Sequence, residues 1–164
     1  MPRKEAMSVD SPRREASYPL GPALEFLRHL SMLNHALERV SSRMDRELGI
    51  TAQQRLILRC VGKFPGITAG QLATVLHLDP GSISAALKRL ESKALLDRRK
   101  DPRDKRRVNL GLTAAGRALD RPTDHTVEHG VERLLERVAA PELAATKKLL
   151  GVLTDLLLSE ADDA

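Results

Sequence analysis

Between Asp97 and Arg107, seven cations (Arg98, Arg99, Lys100, Arg103, Lys105, Arg106 and Arg107) are interleaved with three aspartates (Asp97, Asp101 and Asp104), a net charge of +4 in eleven residues. Guanidinium and ammonium groups packed this densely suit phosphate binding, where each neutralised phosphate releases condensed counterions. A solvated charged turn would have a similar composition. What separates the two readings is position, because the charged segment follows directly on a helix-turn-helix pattern.

That pattern runs ITAGQLATVLHLDPGSISAALKRLESKALL from Ile67. Thr68 is placed to cap a short helix with Gln71 completing a capping box, and Ile67 and Leu72 can staple across the cap. Asp79 and Pro80 open a second helix, as an N-cap acceptor followed by a residue whose φ is already set. Its apolar stripe is Ile83, Ala86, Leu87 and Leu90, at helical spacing. The other face carries Ser82, Ser84 and Ala85 toward the N-terminus and Lys88 and Arg89 toward the C-terminus. Small residues near base edges and cations within reach of phosphate are what a helix in a DNA major groove needs. Thr68 and Gln71, one helix earlier, are placed to hold the flanking backbone.

Asp101-x-Arg103-x-x-x-Arg107, followed by the strand VNLGLT and a helix opening TAAGRAL, resembles the wing signature of MarR-type winged-helix regulators. The resemblance extends more loosely over residues 20 to 160. It implies that Asp101 pairs with Arg103 or Arg107 and fixes the shape of the wing, with Asp104 bracing it. Arg103 at the tip would enter a minor groove, and Arg98, Arg99, Lys105 and Arg106 would serve phosphates. The family usually has Gly before the apolar pair leading into the wing, and this chain has Ala94. A left-handed Ala94 would cost roughly 1 kcal/mol.

Other chemistry-bearing residues carry less. His125 and His129 have the i, i+4 spacing of a helical metal pair. A zinc-sensing branch of the family uses His on this helix, but it also uses one where Arg55 aligns here, so structural or solvent-facing histidines are expected and no metal. Cys60 falls on an apolar face, away from the helix start where a peroxide-sensing branch carries its thiol, and is expected in the core. The urate-binding branch relies on a Trp, which this chain lacks. An effector pocket, implied by the resemblance, would lie between dimerisation helices and winged domain, near Met32, Leu33, Ala36, Arg55 and Arg59, with a cation available for an anionic ligand.

The elements that must position these residues are legible from periodicity. Phe26, Leu30, Leu33, Leu37, Val40 and Met44 form a seam on a long helix that Gly49 ends. Thr51, boxed by Gln54, starts the next helix, with Leu56, Ile57, Cys60, Val61 and Phe64 as its expected buried face. Thr113 caps a helix that Pro122 should interrupt near Leu119 to Arg121. Apolar positions resume at Val127, Val131, Leu134, Leu135 and Val138. A last helix restarts at Ala140-Pro141 and carries Leu143, Leu149, Leu150, Leu153, Leu156 and Leu157.

The expected organisation is a disordered tail (1–21), a dimerisation helix (22–50), a winged helix-turn-helix domain (51–112) and C-terminal dimerisation helices (113–164). Net charge is +5 over 164 residues, but residues 113–164 hold six Lys/Arg against ten Asp/Glu, leaving the rest at +9. One basic face toward a polyanion is expected, with nucleic acid favoured over membrane. A single cysteine fits a reducing cytoplasm, and neither a secretory signal nor a membrane-spanning run is evident. Nucleophile–base pairs, phosphate-cradling glycine loops and metal-ligand sets are missing, so no enzyme and no cofactor are expected. The fold class is mainly α with a small β-hairpin wing. The expected function is a homodimeric, ligand-responsive transcriptional repressor binding pseudo-palindromic double-stranded DNA, its partners being DNA, a second copy and a small-molecule effector. The alternative is a winged-helix interaction or architectural protein without sequence-specific reading.

Overall fold

The computed structural model describes residues 20–104 and 106–162, and the chain divides into two compact units, 1–34 and 35–164. The expected tail lies outside the described residues as far as position 19. Helix α1 is Gly21–Leu48. In its first-unit part, Glu25 pairs with Arg28 at 3.6 Å and accepts from His29 Nδ1 through its carbonyl at 2.8 Å. Leu24, Phe26, Leu27, Met32 and Leu33 are exposed there. Along the seam of α1, Phe26, Leu33 and Leu37 are exposed, Leu30 and Val40 half-buried, and Met44 near its C-terminus buried.

The second unit continues with α2 (Ala52–Lys63), α3 (Ala69–Leu76), α4 (Pro80–Ser92), β1 (Leu96–Lys100), β2 (Val108–Leu112), α5 (Ala114–Leu119), α6 (Val127–Leu135) and α7 (Ala140–Asp162). The expected caps form. Thr51 and Thr68 each accept from the N3 backbone and complete boxes with Gln54 and Gln71, Asp79 accepts from Ser82 N–H, and Thr113 accepts from Gly116 N–H. Each satisfies an orphan donor of a first helical turn. The core is Ile57, Leu58 and Val61 of α2, Leu72 of α3, Ile83, Leu87 and Leu90 of α4, and Leu96, Leu110 and Leu112 of the hairpin.

The hairpin pairs antiparallel, from Leu96 opposite Leu112 to Lys100 opposite Val108. Leu110 N–H also donates to the Ile67 carbonyl at 2.9 Å, tying the wing to the turn before α3. α4 ends in a Schellman motif: Ala94 N–H donates to Glu91 C=O at 2.9 Å and Leu95 N–H to Leu90 C=O at 3.0 Å. Ala94 is left-handed, with φ 54°. The strain considered for a left-handed Ala94 is therefore present. Gly116 is required by packing, since a Cβ there would overlap the Leu95 carbonyl oxygen.

Two local expectations are corrected. On α2, Leu56 and Phe64 are 51% and 42% exposed, Cys60 is half-buried, and Leu58 and Arg55 occupy the interior. The helix is rotated from its apolar reading because Arg55 finds enough acceptors to be buried. His125 also lies outside a helix, with φ 62°, so the i, i+4 geometry of a helical metal pair does not apply to His125 and His129. As expected, the chain breaks around Pro122, between α5 and α6. Val131, Leu134 and Leu135 of α6 and Leu149, Leu150, Leu156 and Leu157 of α7 are exposed.

Candidate nucleic-acid interface

The candidate interface comprises the exposed face of α4 and the loop between β1 and β2. Asp79 sets the start of α4: its carboxylate accepts from Ser82 N–H at 2.8 Å. The Ser82 hydroxyl first, and then its N–H, hold this carboxyl below the usual range. Ser82 and Ala85 are exposed, Ser84 is half-buried, and Lys88 and Arg89, about one turn beyond Ser84 and Ala85, are exposed. With Ile83, Ala86, Leu87 and Leu90 committed to the core, the helix has one rotational setting, and its small polar face looks outward.

In the wing, Asp101 is the organising residue, but its partners differ from those the resemblance implied. One carboxylate oxygen accepts from Arg103 N–H at 2.8 Å and the other from the Asn109 side-chain amide at 3.1 Å. These two bonds, in that order, hold the Asp101 carboxyl below its ordinary value, and the Arg107 charge adds least. Asp104 repeats the device by accepting from Arg106 N–H at 3.0 Å. Two further backbone bonds, Asp101 N–H to Arg107 C=O and Arg107 N–H to Asp104 C=O, both 2.9 Å, close the turn. Among the described residues no ion pair joins Asp101 or Asp104 to an arginine. The carboxylates shape the backbone, and the guanidinium of Arg103 is exposed at the tip. Asn109 was missed in the sequence.

The remaining cations divide. Arg98 pairs with Glu91 and Arg99 with Asp97, the latter at 2.7 Å. Arg106 is exposed, and Lys105 lies outside the described residues. Arg107 Nη2 reaches Gln71 Oε1 at 3.4 Å, linking the wing to α3. That oxygen also accepts from the Thr68 N–H and hydroxyl, so the Thr68–Gln71 pair forms part of the scaffold between helix and wing.

Of the residues expected around an effector, Ala36, Arg55 and Arg59 lie in the second unit. Ala36 lines an open hollow of about 720 Å³ beside His35, Arg39, Arg43 and Arg46, and neither Arg55 nor Arg59 borders it. Arg55 is fully buried and bound to Glu128, and Arg59 is bound to Asp120. Both cations are therefore neutralised within the fold. Met32 and Leu33 are exposed on the first unit. Burial raises the Cys60 thiol pKa, with Lys63 opposing, so the thiolate is disfavoured. His129 Nδ1 lies 3.5 Å from an Asp124 carboxylate oxygen. No helix among the described residues is long and apolar enough to cross a membrane.

The MarR family profile matches residues 50–108, which span α2 to the first residue of β2. The HTH-type transcriptional repressor Rv2887 of Mycobacterium tuberculosis is 29% identical over 103 residues, covering 63% of this chain and 74% of that protein. The crystal structure of Streptococcus pneumoniae FabT in complex with DNA is 25% identical with a TM-score of 0.63, over 84% of this chain and 99% of that one. The reduced form of MarR from Escherichia coli is 31% identical, with a TM-score of 0.56, over 77% of this chain and 93% of that one. The chain belongs to the MarR family of winged helix-turn-helix transcriptional regulators.

Proposed function

We propose that this regulator acts as a homodimer on a pseudo-palindromic operator in double-stranded DNA, as a repressor whose affinity a small ligand lowers. The observation that carries this reading is the setting of α4: its apolar stripe is locked in the core while its short polar face is exposed beside a wing whose tip arginine is also exposed. Ser82, Ser84 and Ala85 would lie toward base edges, with Lys88, Arg89 and Arg106 on phosphates and Arg103 in a minor groove. Arg98 and Arg99 would exchange Glu91 and Asp97 for phosphate on binding. The exposed leucines of α6 and α7 support the dimer, because a monomer leaving them in water would carry an aggregation-prone surface. Two recognition helices related by a dyad would read half-sites about 10 bp apart. The cytoplasm, where a free Cys60 stays reduced, is the fitting compartment, and no catalytic role is assigned.

Selection from sheared genomic DNA with the purified protein at about 150 mM salt, followed by sequencing, tests this reading. An enriched palindrome of about 16–20 bp is expected from the half-site spacing. Retention without a motif would replace it with an architectural role, which the short side chains of α4 would suit.

A further inference from the structure

Arg55, Arg59 and Gly62 fall four and three residues apart on α2 and so share one face. Packed on that face is the non-helical connection from α5 to α6. The Arg55 guanidinium donates to the Glu128 carboxylate, the Leu119 carbonyl at 2.7 Å, the Arg121 carbonyl at 2.8 Å and the Thr123 hydroxyl at 3.2 Å. Arg59 Nη1 donates to both the carbonyl and the carboxylate of Asp120. A Cβ at Gly62 would overlap that carboxylate, so glycine is what lets Asp120 seat here. Arg43 of α1 also donates to the His125 carbonyl. Every acceptor lies between Leu119 and Glu128, the stretch joining the winged-helix body to the exposed apolar helices α6 and α7.

A guanidinium presents its donors in a rigid plane, so several acceptors held at once fix orientation as well as distance. Packing alone would allow the connection to slide; this arrangement gives it one position. We propose that the Arg55–Arg59–Gly62 face of α2 is a clamp that sets the direction in which α6 leaves the winged-helix body, and thereby the half-site spacing the dimer accepts. This rests on the dimeric DNA-binding reading above. Arg55 and Arg59 are positioning residues: they act on spacing through the connection and touch no base.

The test uses the full-length chain carrying Cys60→Ser and a nitroxide on Ser92→Cys, at the exposed C-terminal end of α4. The distance between the two labels of a dimer is compared in the parent, Arg59→Met, Glu128→Gln and Gly62→Ala, with Arg59→Lys as the conservative control. Arg55 itself is left intact, since its loss endangers folding. In parallel, unlabelled proteins are titrated with the selected operator and with versions lengthened or shortened by one base pair between half-sites.

The parent is expected to give one narrow distance and about a tenfold preference for the native spacing, equivalent to about 1.4 kcal/mol. The three disrupting variants broaden the distance and reduce the preference to about threefold or less, while Arg59→Lys keeps most of both and single half-site affinity stays unchanged. Unaltered distance and preference in all three variants would overturn the clamp. A parent that is monomeric, giving no interspin distance, would overturn the clamp and the dimer together. Broadened distances in a dimer that retains no operator would support the clamp's hold on α6 and overturn its role in half-site spacing together with the DNA reading.

Discussion

Ala94 stands at the C′ position of a Schellman motif with φ 54°, where a Cβ crowds the following carbonyl. Ala94→Gly should therefore stabilise the protein by about 1 kcal/mol, read as a rise in the urea midpoint with an unchanged m-value. Asp101 makes a second single-residue prediction. Its folded carboxyl titrates below the unfolded value of about 3.9, so its contribution is complete above that pH and fades as pH falls through the depressed folded value. NMR titration should place its midpoint below that of a model aspartate, and Asn109→Ala should raise it by removing one of its two named donors. The Ala94 conformation was raised as a possibility by the family resemblance, since that family usually has Gly at this position, and the backbone adopts it. The partners of Asp101 were not legible: the family resemblance implied an arginine side chain, Arg103 or Arg107. An aspartate's nearest donor is instead the backbone N–H two residues on, and that geometry forms without long side chains having to be ordered. His77 also escaped notice. It ends α3 in a left-handed conformation, at φ 50°, which histidine adopts more readily than most side chains but far less often than glycine.

At the scale of elements, caps and breakers were the reliable signals. Thr51, Thr68, Asp79, Pro80, Thr113 and Pro122 each act through the backbone within a few residues, so their roles are the same in the sequence and in the fold. The rotation of α2 was not legible, because apolar spacing favoured Leu56 and Phe64, and the burial of Arg55 depends on carbonyls more than sixty residues away. The same contrast explains the wing. Its charge density announced a binding element, while its tie to the body, Leu110 N–H to Ile67 C=O, is a backbone bond between distant segments. α5 supplies a prediction at this scale. Gly116 lies against the Leu95 carbonyl, which already accepts from Thr113 N–H at 3.2 Å and is held by the strand that follows. That oxygen cannot swing away as a flexible side chain would. Gly116→Ala should therefore destabilise by about 2–3 kcal/mol as overpacking against backbone, lowering the melting temperature. Gly130→Ala, where nothing lies within 4 Å of the added Cβ, is the matched control and should be neutral or slightly stabilising.

For the whole molecule the decisive quantity is where charge sits. Residues 113–164 are net −4, while the remainder, including the wing, is +9, so charge is segregated along the chain, which is not uniformly basic. A uniformly basic protein would attract DNA through its total charge. Here the acidic C-terminal helices should repel it, and binding should depend on the few cations that the α4 and wing geometry aims at phosphate. The log–log dependence of operator affinity on salt measures this directly, since each phosphate neutralised contributes about 0.9 to the slope. Lys88→Ala should reduce the slope by about 1 and weaken specific and random DNA alike, as expected for a phosphate contact. Arg103→Ala should also reduce it, but with a larger loss on operators whose flanks are A·T-rich, because a narrow minor groove concentrates the negative potential that an inserted arginine senses. Neutralising the acidic end instead, for example by Asp155→Asn in the exposed part of α7, should leave the number of released counterions unchanged. Equal slope reductions on changing Lys88 and an arginine far from the α4–wing face, such as Arg133, would mean that net charge governs binding and that the interface assigned here does not.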